Sequence, residues 1–204
     1  MPTQTFFRLP EEKRARLMAA AWEEFTRVSL AEASINRIIH SAQIPRGSFY
    51  QYFEDKEDLF FYLLDALYKE CLVLAGEALS EAGGDLFDAT PAVFDRFFEA
   101  DIRGELTREM ELLRLNDTMD VGQMLIERAK PGPQLEELLR QADASGFRQT
   151  DEAFFREVVS LLIFGLMYAM REMLCGGDFE AERARLCSRV EIVRRGSLRE
   201  ERIS

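Results

Sequence analysis

Histidine and cysteine are scarce in this sequence of 204 residues. There is one histidine, His40, and there are three cysteines, at positions 71, 175 and 187. A single imidazole excludes multi-histidine metal sites and leaves any Ser-His or Cys-His catalytic pair dependent on His40. Cysteines that are odd in number and far apart indicate reduced thiols rather than a disulfide framework or a zinc site. We therefore expect a cytoplasmic protein with no metal site and no cofactor.

Motifs for phosphate binding or nucleophilic catalysis are also lacking. The sequence contains no Gly-x-Gly-x-x-Gly, no phosphate-binding loop and no Gly-x-Ser-x-Gly. The longest nearly unbroken apolar run covers residues 158–170, which is 13 residues, and a membrane span needs about 20. The first residues have neither the basic start nor the apolar run of a signal peptide. These absences predict a protein that is not an enzyme and does not enter a membrane.

Acidic residues outnumber basic ones, but unevenly along the chain. The net charge of −11 by itself argues against nucleic-acid binding. Residues 1–56, however, carry eight basic against seven acidic side chains, a net charge of +1, and the rest of the chain carries −12. No acid occurs between Arg37 and Gln51. Arginine, amide and hydroxyl side chains on an acid-free helix suit a DNA groove, although a small helix with a polar surface has the same composition.

Apolar residues recur at helical spacing along most of the chain, and no segment alternates as a strand does. This pattern predicts an all-α fold. Ser34 and Asp55 are expected N-caps, the latter with Asp58 at capping-box spacing, and Pro91 is expected in a first helical turn. The predicted helices span residues 10–28, 34–42, 45–53, 55–81, 90–102, 105–115, 120–129, 134–144, 151–175 and 179–195.

The segment from Ser34 to Leu59 contains a long and specific motif. It reads SINRIIHSAQIPRGSFYQYFEDKEDL, which resembles the helix-turn-helix signature of the TetR/AcrR family of bacterial transcriptional regulators. The resemblance covers about residues 10–65, and the rest of the chain is similar only in length and helical layout. The positions that match the motif are Ala42, Ile44, Gly47, Ser48, Phe49, Tyr50, Tyr52, Phe53, Lys56, Glu57 and Leu59.

The resemblance implies specific roles for residues of this motif. Phe49 and Phe53 would pack the recognition helix against the preceding helix. Arg46, Gly47 and Gln51 would face the major groove, with Asn36 as a further base contact. Tyr52 has an alternative role in packing against the first helix. The residues implied in phosphate contact are Ser34, Ser48, Tyr50, Tyr52 and Lys56.

The sequence departs from the family motif at two positions. Gln43 stands where the family has a glycine in the turn between the two helices. A non-glycine residue in the left-handed conformation costs about 1–2 kcal/mol. Pro45 replaces the usual Ser or Thr cap, which removes one possible phosphate contact.

The remainder of the chain is expected to form a larger helical domain for dimerisation and ligand binding. The proposed division is residues 1–55 for DNA binding and 56–204 for the second domain. Residues 158–174 are apolar around most of the helix, with Gly165 and Ala169 four apart, which fits a helix buried on two faces. The resemblance implies a homodimer formed through the last two long helices as a four-helix bundle, and a core helix in a monomer is the alternative.

Aromatic and methionine side chains gather in the middle helices. They fill protein cores in most cases, but they also line adaptable apolar pockets. The resemblance implies that an inducer site lies here, and we expect a small lipophilic effector if the site exists. The candidate ligand-binding residues are Phe94, Phe97, Phe98, Met110, Met119 and Met124.

These observations predict a dimeric, sequence-specific DNA-binding repressor that a small ligand releases from a double-stranded operator. Two other functions are compatible with a helical chain. One is a ligand carrier or enzyme that uses the apolar cavity, and the other is an adaptor that binds only protein.

Overall fold

The computed structural model describes residues 2–102, 107–116 and 133–199. Ten helices account for most of these residues, and no strand forms among them. An isolated antiparallel bridge joins Phe147 and Leu198. The predicted all-α class is confirmed.

The described residues fall into two compact units. The first holds residues 2–68 and 107–116, and the second holds residues 69–102 and 133–199. The functional division after residue 55 stays a prediction, because compactness does not test which residues bind DNA. Helices of the first unit are α1 (Gln4–Phe7), α2 (Glu11–Phe25), α3 (Ile35–Ser41), α4 (Arg46–Tyr52) and α7 (Thr107–Arg114). Those of the second are α6 (Leu86–Ile102), α8 (Pro133–Leu139), α9 (Glu152–Leu174) and α10 (Phe179–Ser197), and α5 (Lys56–Glu81) runs through both.

The core of the first unit is built from aromatic and aliphatic side chains of α2 to α5. The rings of Phe25 and Phe60 meet edge to face with centroids 5.3 Å apart, and Ile38 is fully buried. Phe49 and Phe53 have no exposed surface, so their predicted place in the core is confirmed. One side of α4 is thereby fixed to the rest of the unit.

The two predicted N-caps have different outcomes. Asp55 accepts a hydrogen bond from the backbone N–H of Asp58 at 2.6 Å, which confirms the cap of α5. Ser34 precedes α3 as expected, but its side chain makes no capping hydrogen bond. Its backbone N–H instead donates to Oε1 of Glu24 at 2.8 Å. Ser34 is therefore the N-cap residue by position, as predicted, but its side chain does not cap the helix, and Glu24 accepts the N–H of Ser34 itself rather than a free N–H of the first turn.

The second unit is held by α6, α9 and α10. The ring of Phe94 in α6 stacks on that of Phe179 in α10, with centroids 5.4 Å apart. Arg183 donates from Nε and Nη2 to both carboxylate oxygens of Asp95, at 2.7 and 2.8 Å. Such a paired contact fixes two helices in both distance and orientation.

Helix α6 begins earlier than predicted. It starts at Leu86, so Pro91 lies inside the helix rather than in its first turn. The cause is Asp85, whose Oδ1 accepts the backbone N–H groups of Phe87 and Asp88 at 2.7 and 3.1 Å. Helix α8 ends at Leu139, before the predicted residue 144. The predicted helix over 120–129 lies outside the described residues.

Helix α9 has apolar side chains on its exposed side. Among the described residues it alone is long and apolar enough to cross a membrane by length and composition, a test that helices buried in proteins also pass. Leu161 is 54% exposed, Phe164 44% and Tyr168 40%. The helix therefore presents an apolar stripe that its own unit leaves uncovered.

Candidate nucleic-acid interface

Helices α3 and α4 are joined by a turn that requires a left-handed residue. Gln43 adopts φ = 54°. The backbone N–H of Gln43 donates to the carbonyl of His40 at 3.2 Å, and that of Ile44 to the carbonyl of Ile39 at 3.0 Å. These two bonds form a Schellman motif, in which the left-handed position is usually glycine. The turn therefore has the geometry that glycine favours, and Gln43 adopts the left-handed conformation at a cost in free energy.

One side of α4 faces outward and is polar. Arg46, Gly47, Tyr50 and Gln51 are exposed, and their spacing places them on one face of the helix. Ser48 lies beside this face and is half-buried. The opposite side is anchored in the core by Phe49 and Phe53. A short helix with an anchored apolar side and an open polar side can lie in a major groove.

Two predicted base contacts lie next to each other. Nη1 of Arg46 donates a hydrogen bond to Oδ1 of Asn36 at 2.6 Å, and both side chains are exposed. Asn36 stands in the first turn of α3 and Arg46 in the first turn of α4. The contact orients the guanidinium at the start of α4, which is where recognition helices meet base edges.

The fold of the chain does not require glycine at position 47. A Cβ atom built at this position meets nothing within 4 Å, and its φ lies outside the left-handed region. Glycine in a helix interior lowers stability by about 0.5–1 kcal/mol relative to alanine. The residue therefore weakens the helix while leaving the outward face flat, which fits close approach of a partner.

The remaining predicted contacts have partners within the first unit. Nζ of Lys56 donates to the carbonyls of Ala31 and Ala33 at 2.8 and 3.3 Å. Tyr52 is 4% exposed, and its ring lies 6.5 Å from that of Phe6. The alternative of a packing role for Tyr52 thus fits its burial, although the packing is against α1 rather than the long first helix that the sequence predicts. The phosphate contacts of Lys56, Tyr52 and Ser34 stay predictions.

A buried carboxylate below α3 holds two arginines of this unit. Glu24 is 4% exposed, and its Oε2 accepts from Nη2 of Arg27 at 2.7 Å, while Nε of Arg37 lies 3.5 Å from Oε1. Burial raises the pKa of Glu24, but the hydrogen bonds from Arg27 and the backbone of Ser34 and the charges of both arginines outweigh it, so the pKa is lowered. Sequence reasoning missed this role, because a buried glutamate looks like a surface acid in the sequence.

The three phenylalanines predicted to bind a ligand pack in the core of the second unit. Phe94, Phe97 and Phe98 are between 0 and 6% exposed. Phe94 and Phe98 meet edge to face with centroids 4.9 Å apart, and both contact Phe179. A cleft elsewhere in the described part of this unit is lined by other residues, Phe147 among them.

Of the three methionines of that prediction, only Met110 lies among the residues that the structure describes. Met110 is fully buried in α7, which belongs to the first unit. Met119 and Met124 lie outside the described residues. The ligand site therefore stays a prediction.

Comparison with known proteins agrees with the geometry of the first unit. The model of the tetR family of bacterial regulatory proteins matches residues 17–63, which contain α3, the turn and α4. The chain carries the N-terminal DNA-binding domain of the TetR family. The predicted recognition is confirmed, and with it a helix-turn-helix regulator of transcription.

Two solved structures of TetR-family regulators have a fold similar to that of this chain. A TetR-family transcription regulator from Marinobacter aquaeolei VT8 is 19% identical, with a TM-score of 0.50, and the match covers 93% of this chain and 97% of that one. A TetR-family regulator from Streptomyces coelicolor A3 is 17% identical, with a TM-score of 0.51, over 91% of this chain and 97% of that one. At these identities the likeness concerns the fold.

Proposed function

We propose that this TetR-family regulator is a cytoplasmic repressor that binds a double-stranded operator as a homodimer and is released by a small lipophilic ligand. In this proposal it has no catalytic activity. The DNA-binding part of the proposal rests on the outward face of α4. Arg46, Gly47, Tyr50 and Gln51 are exposed on this face and are not part of the core. The side chains of this face suit base edges and phosphates.

Selection of bound sequences from random double-stranded DNA tests the operator proposal. A dimer with one recognition helix per subunit should enrich an inverted repeat whose half-sites lie about one helical turn apart, or a multiple of it. The control is Arg46→Ala together with Gln51→Ala, which should enrich no common sequence. Enrichment of no sequence by the natural protein at low salt would contradict the proposal.

The homodimer is supported by the uncovered apolar stripe on α9 and by an exposed apolar side chain beside it on α10. Ile192 of α10 is 72% exposed, and it lines a shallow groove together with Leu161, Phe164 and Tyr168. Nη1 of Arg189 is buried beside this groove without a hydrogen-bond partner among the described residues. A contiguous apolar surface of this kind marks an interaction site, and a second copy buries the same stripe on both chains.

A single charge in the groove tests the dimer. Ile192→Glu should give a folded monomer, because the side chain is exposed within one chain but meets apolar surface in the dimer. The matched control is Val73→Glu, since Val73 is also exposed (54%) but lies on α5. Sedimentation at micromolar concentration measures the state of each. A natural protein that sediments as a monomer would overturn the dimer.

Ligand release is supported by the aromatic side chains of α6. A lipophilic molecule would enter by replacing the apolar contacts among the rings of Phe94, Phe98 and Phe179. A ligand that favours the state unable to bind DNA must stabilise the protein and weaken operator binding together. We therefore expect apolar compounds that raise the melting temperature to lower operator affinity. Compounds that raise it without any effect on operator binding would argue against release.

A further inference from the structure

The N-terminal segment is bonded to the end of the recognition helix. The backbone N–H of Thr3 donates to the carbonyl of Tyr52 at 2.9 Å. The hydroxyl Oγ1 of the same residue donates to the carbonyl of Gln51 at 2.6 Å. These carbonyls belong to the last two residues of α4, where a helix has no intrahelical donors left. One residue, 48 positions away in the sequence, thus satisfies two of the free carbonyls of α4.

An aromatic anchor holds the segment in place. Phe6 is fully buried, and its ring lies 4.9 Å from that of Phe53 and 5.2 Å from that of Tyr62, both edge to face. Its neighbour Phe7 is 49% exposed. Phe6 is therefore the buried anchor of the segment, and Phe7 adds an edge contact with Tyr62 at 6.3 Å. This docking brings Thr3 to the helix end.

We infer that Thr3 is a positioning residue for DNA recognition, acting through the end of α4. Helix α4 has seven residues, and isolated helices of that length do not hold their shape in water. Tyr50 and Gln51, two of the predicted DNA contacts, lie in its last turn. The bonds from Thr3 keep that turn helical and so hold both side chains where they meet the groove. The inference rests on the proposed use of α4 to read an operator.

Four substitutions separate the contributions of the segment. Thr3→Val removes the hydroxyl and keeps the N–H, and Thr3→Ser restores the hydroxyl. Thr3→Pro removes both donors, and it fits the backbone because the φ of Thr3 is −74°. The matched control is Thr5→Val, which removes an exposed hydroxyl two residues away that has no part in these bonds.

The first measurement is hydrogen exchange of the backbone amides in the last turn of α4, up to Phe53, whose N–H donates to the carbonyl of Phe49. Exchange there should accelerate by about fivefold for each hydrogen bond removed, while amides of α2 stay unchanged. Thr3→Ser and Thr5→Val should behave as the natural protein. Unchanged exchange in Thr3→Pro would overturn the inference whether or not the protein binds DNA.

The second measurement compares affinity for the selected operator with affinity for scrambled DNA. Non-specific binding depends on cationic contacts with phosphates, which Thr3 does not supply. Thr3→Pro should therefore weaken operator binding by roughly tenfold and leave scrambled DNA nearly unaffected. An equal loss on both DNAs would overturn the inference and make the segment a phosphate contact. A natural protein with no operator would refute the proposed function, and hydrogen exchange would still decide the role of Thr3 in α4.

Discussion

The guanidinium of Arg46 and the amide oxygen of Asn36 are hydrogen-bonded at 2.6 Å, so that the first turns of α3 and α4 are linked through two side chains that are also predicted base contacts. An arginine held by a neighbouring side chain is oriented before DNA arrives, and less side-chain freedom is lost on binding. The pair should therefore act as one unit in recognition.

Arg46→Ala should weaken binding to the selected operator by about 1–3 kcal/mol and affect scrambled DNA much less, because a base contact is lost. Asn36→Ala should have a smaller effect, and the double variant should cost less than the sum of both, since each change removes the same contact. Fluorescence anisotropy titrations measure all three. Arg16→Ala, which removes an exposed arginine of α2 that pairs with Glu12, is the charge-matched control. Additive effects would show that the two residues act independently.

Gly47→Ala should separate stability from DNA binding. The new Cβ meets open space within the chain, so the free energy of unfolding should rise by up to about 1 kcal/mol. Operator affinity should fall, because the methyl group stands where a DNA partner would approach. Gly196→Ala in α10 is the matched control: its Cβ also meets nothing within 4 Å, and it should change stability without changing DNA affinity. A Gly47→Ala protein with natural affinity would remove close approach as the reason for this glycine.

Lys56→Met should affect both the fold and the salt dependence of binding. Loss of the hydrogen bonds to the carbonyls of Ala31 and Ala33 should lower the free energy of unfolding by about 1–2 kcal/mol. If the ammonium also binds phosphate, the slope of log affinity against log salt should fall by about one per half-site. Thermal unfolding and titrations at several salt concentrations measure the two effects, with Lys13→Met as control. A loss of stability with an unchanged salt slope would show that Lys56 supports the fold and does not contact phosphate.

Gln43→Gly should stabilise the protein. Gln43 holds φ = 54°, and removal of its side chain relieves about 1 kcal/mol of conformational cost. Operator binding should stay the same, because the backbone of the turn does not change. Ala42→Gly, at a neighbouring residue with φ = −73°, should instead destabilise the protein. A loss of stability in Gln43→Gly would mean that the glutamine side chain contributes more than its backbone costs.

The buried carboxylate of Glu24 should make stability fall in acid. Its pKa in the folded protein lies below the ordinary value of 4.5, so the unfolded chain takes up a proton first as the pH drops. The contribution of Glu24 is therefore complete above about pH 5.5 and is lost as the pH falls through the lowered pKa. Glu24→Gln should be less stable than the natural protein at pH 7, and the difference should shrink below pH 4. Urea unfolding across this range measures it, with the exposed Glu23→Gln as control. A difference that is independent of pH would contradict an ionic role.

The sequence predicts those features that depend on local spacing. The buried side of α4, the cap at Asp55 and the outward place of Arg46 follow from helical periodicity and capping preferences. Contacts between residues that are distant in the sequence were not predictable in this way. Thr3 reaches a helix end 48 positions on, and Lys56 reaches carbonyls 23 and 25 positions before it, because tertiary packing brings these groups together.

The second unit shows one local and one long-range cause for features that the sequence analysis did not predict. Pro91 favours a helix start, but the side chain of Asp85 caps α6 one turn earlier. Arg183 and Asp95 are 88 positions apart in the sequence. The spacing of charges along α10 therefore does not predict that they pair. The start of α6 thus follows from a local cap that competes with Pro91, whereas the Arg183–Asp95 pair depends on tertiary packing.

The division of α4 into an anchored side and an open side has a consequence for how this protein can change. Phe49 and Phe53 hold the helix in place, while positions 46, 47, 50 and 51 take no part in the core. Substitutions at these four positions can alter which base pairs are preferred while the domain still folds. The domain is therefore suited to retargeting, and a library randomised at these positions alone should yield folded variants with new operator preferences.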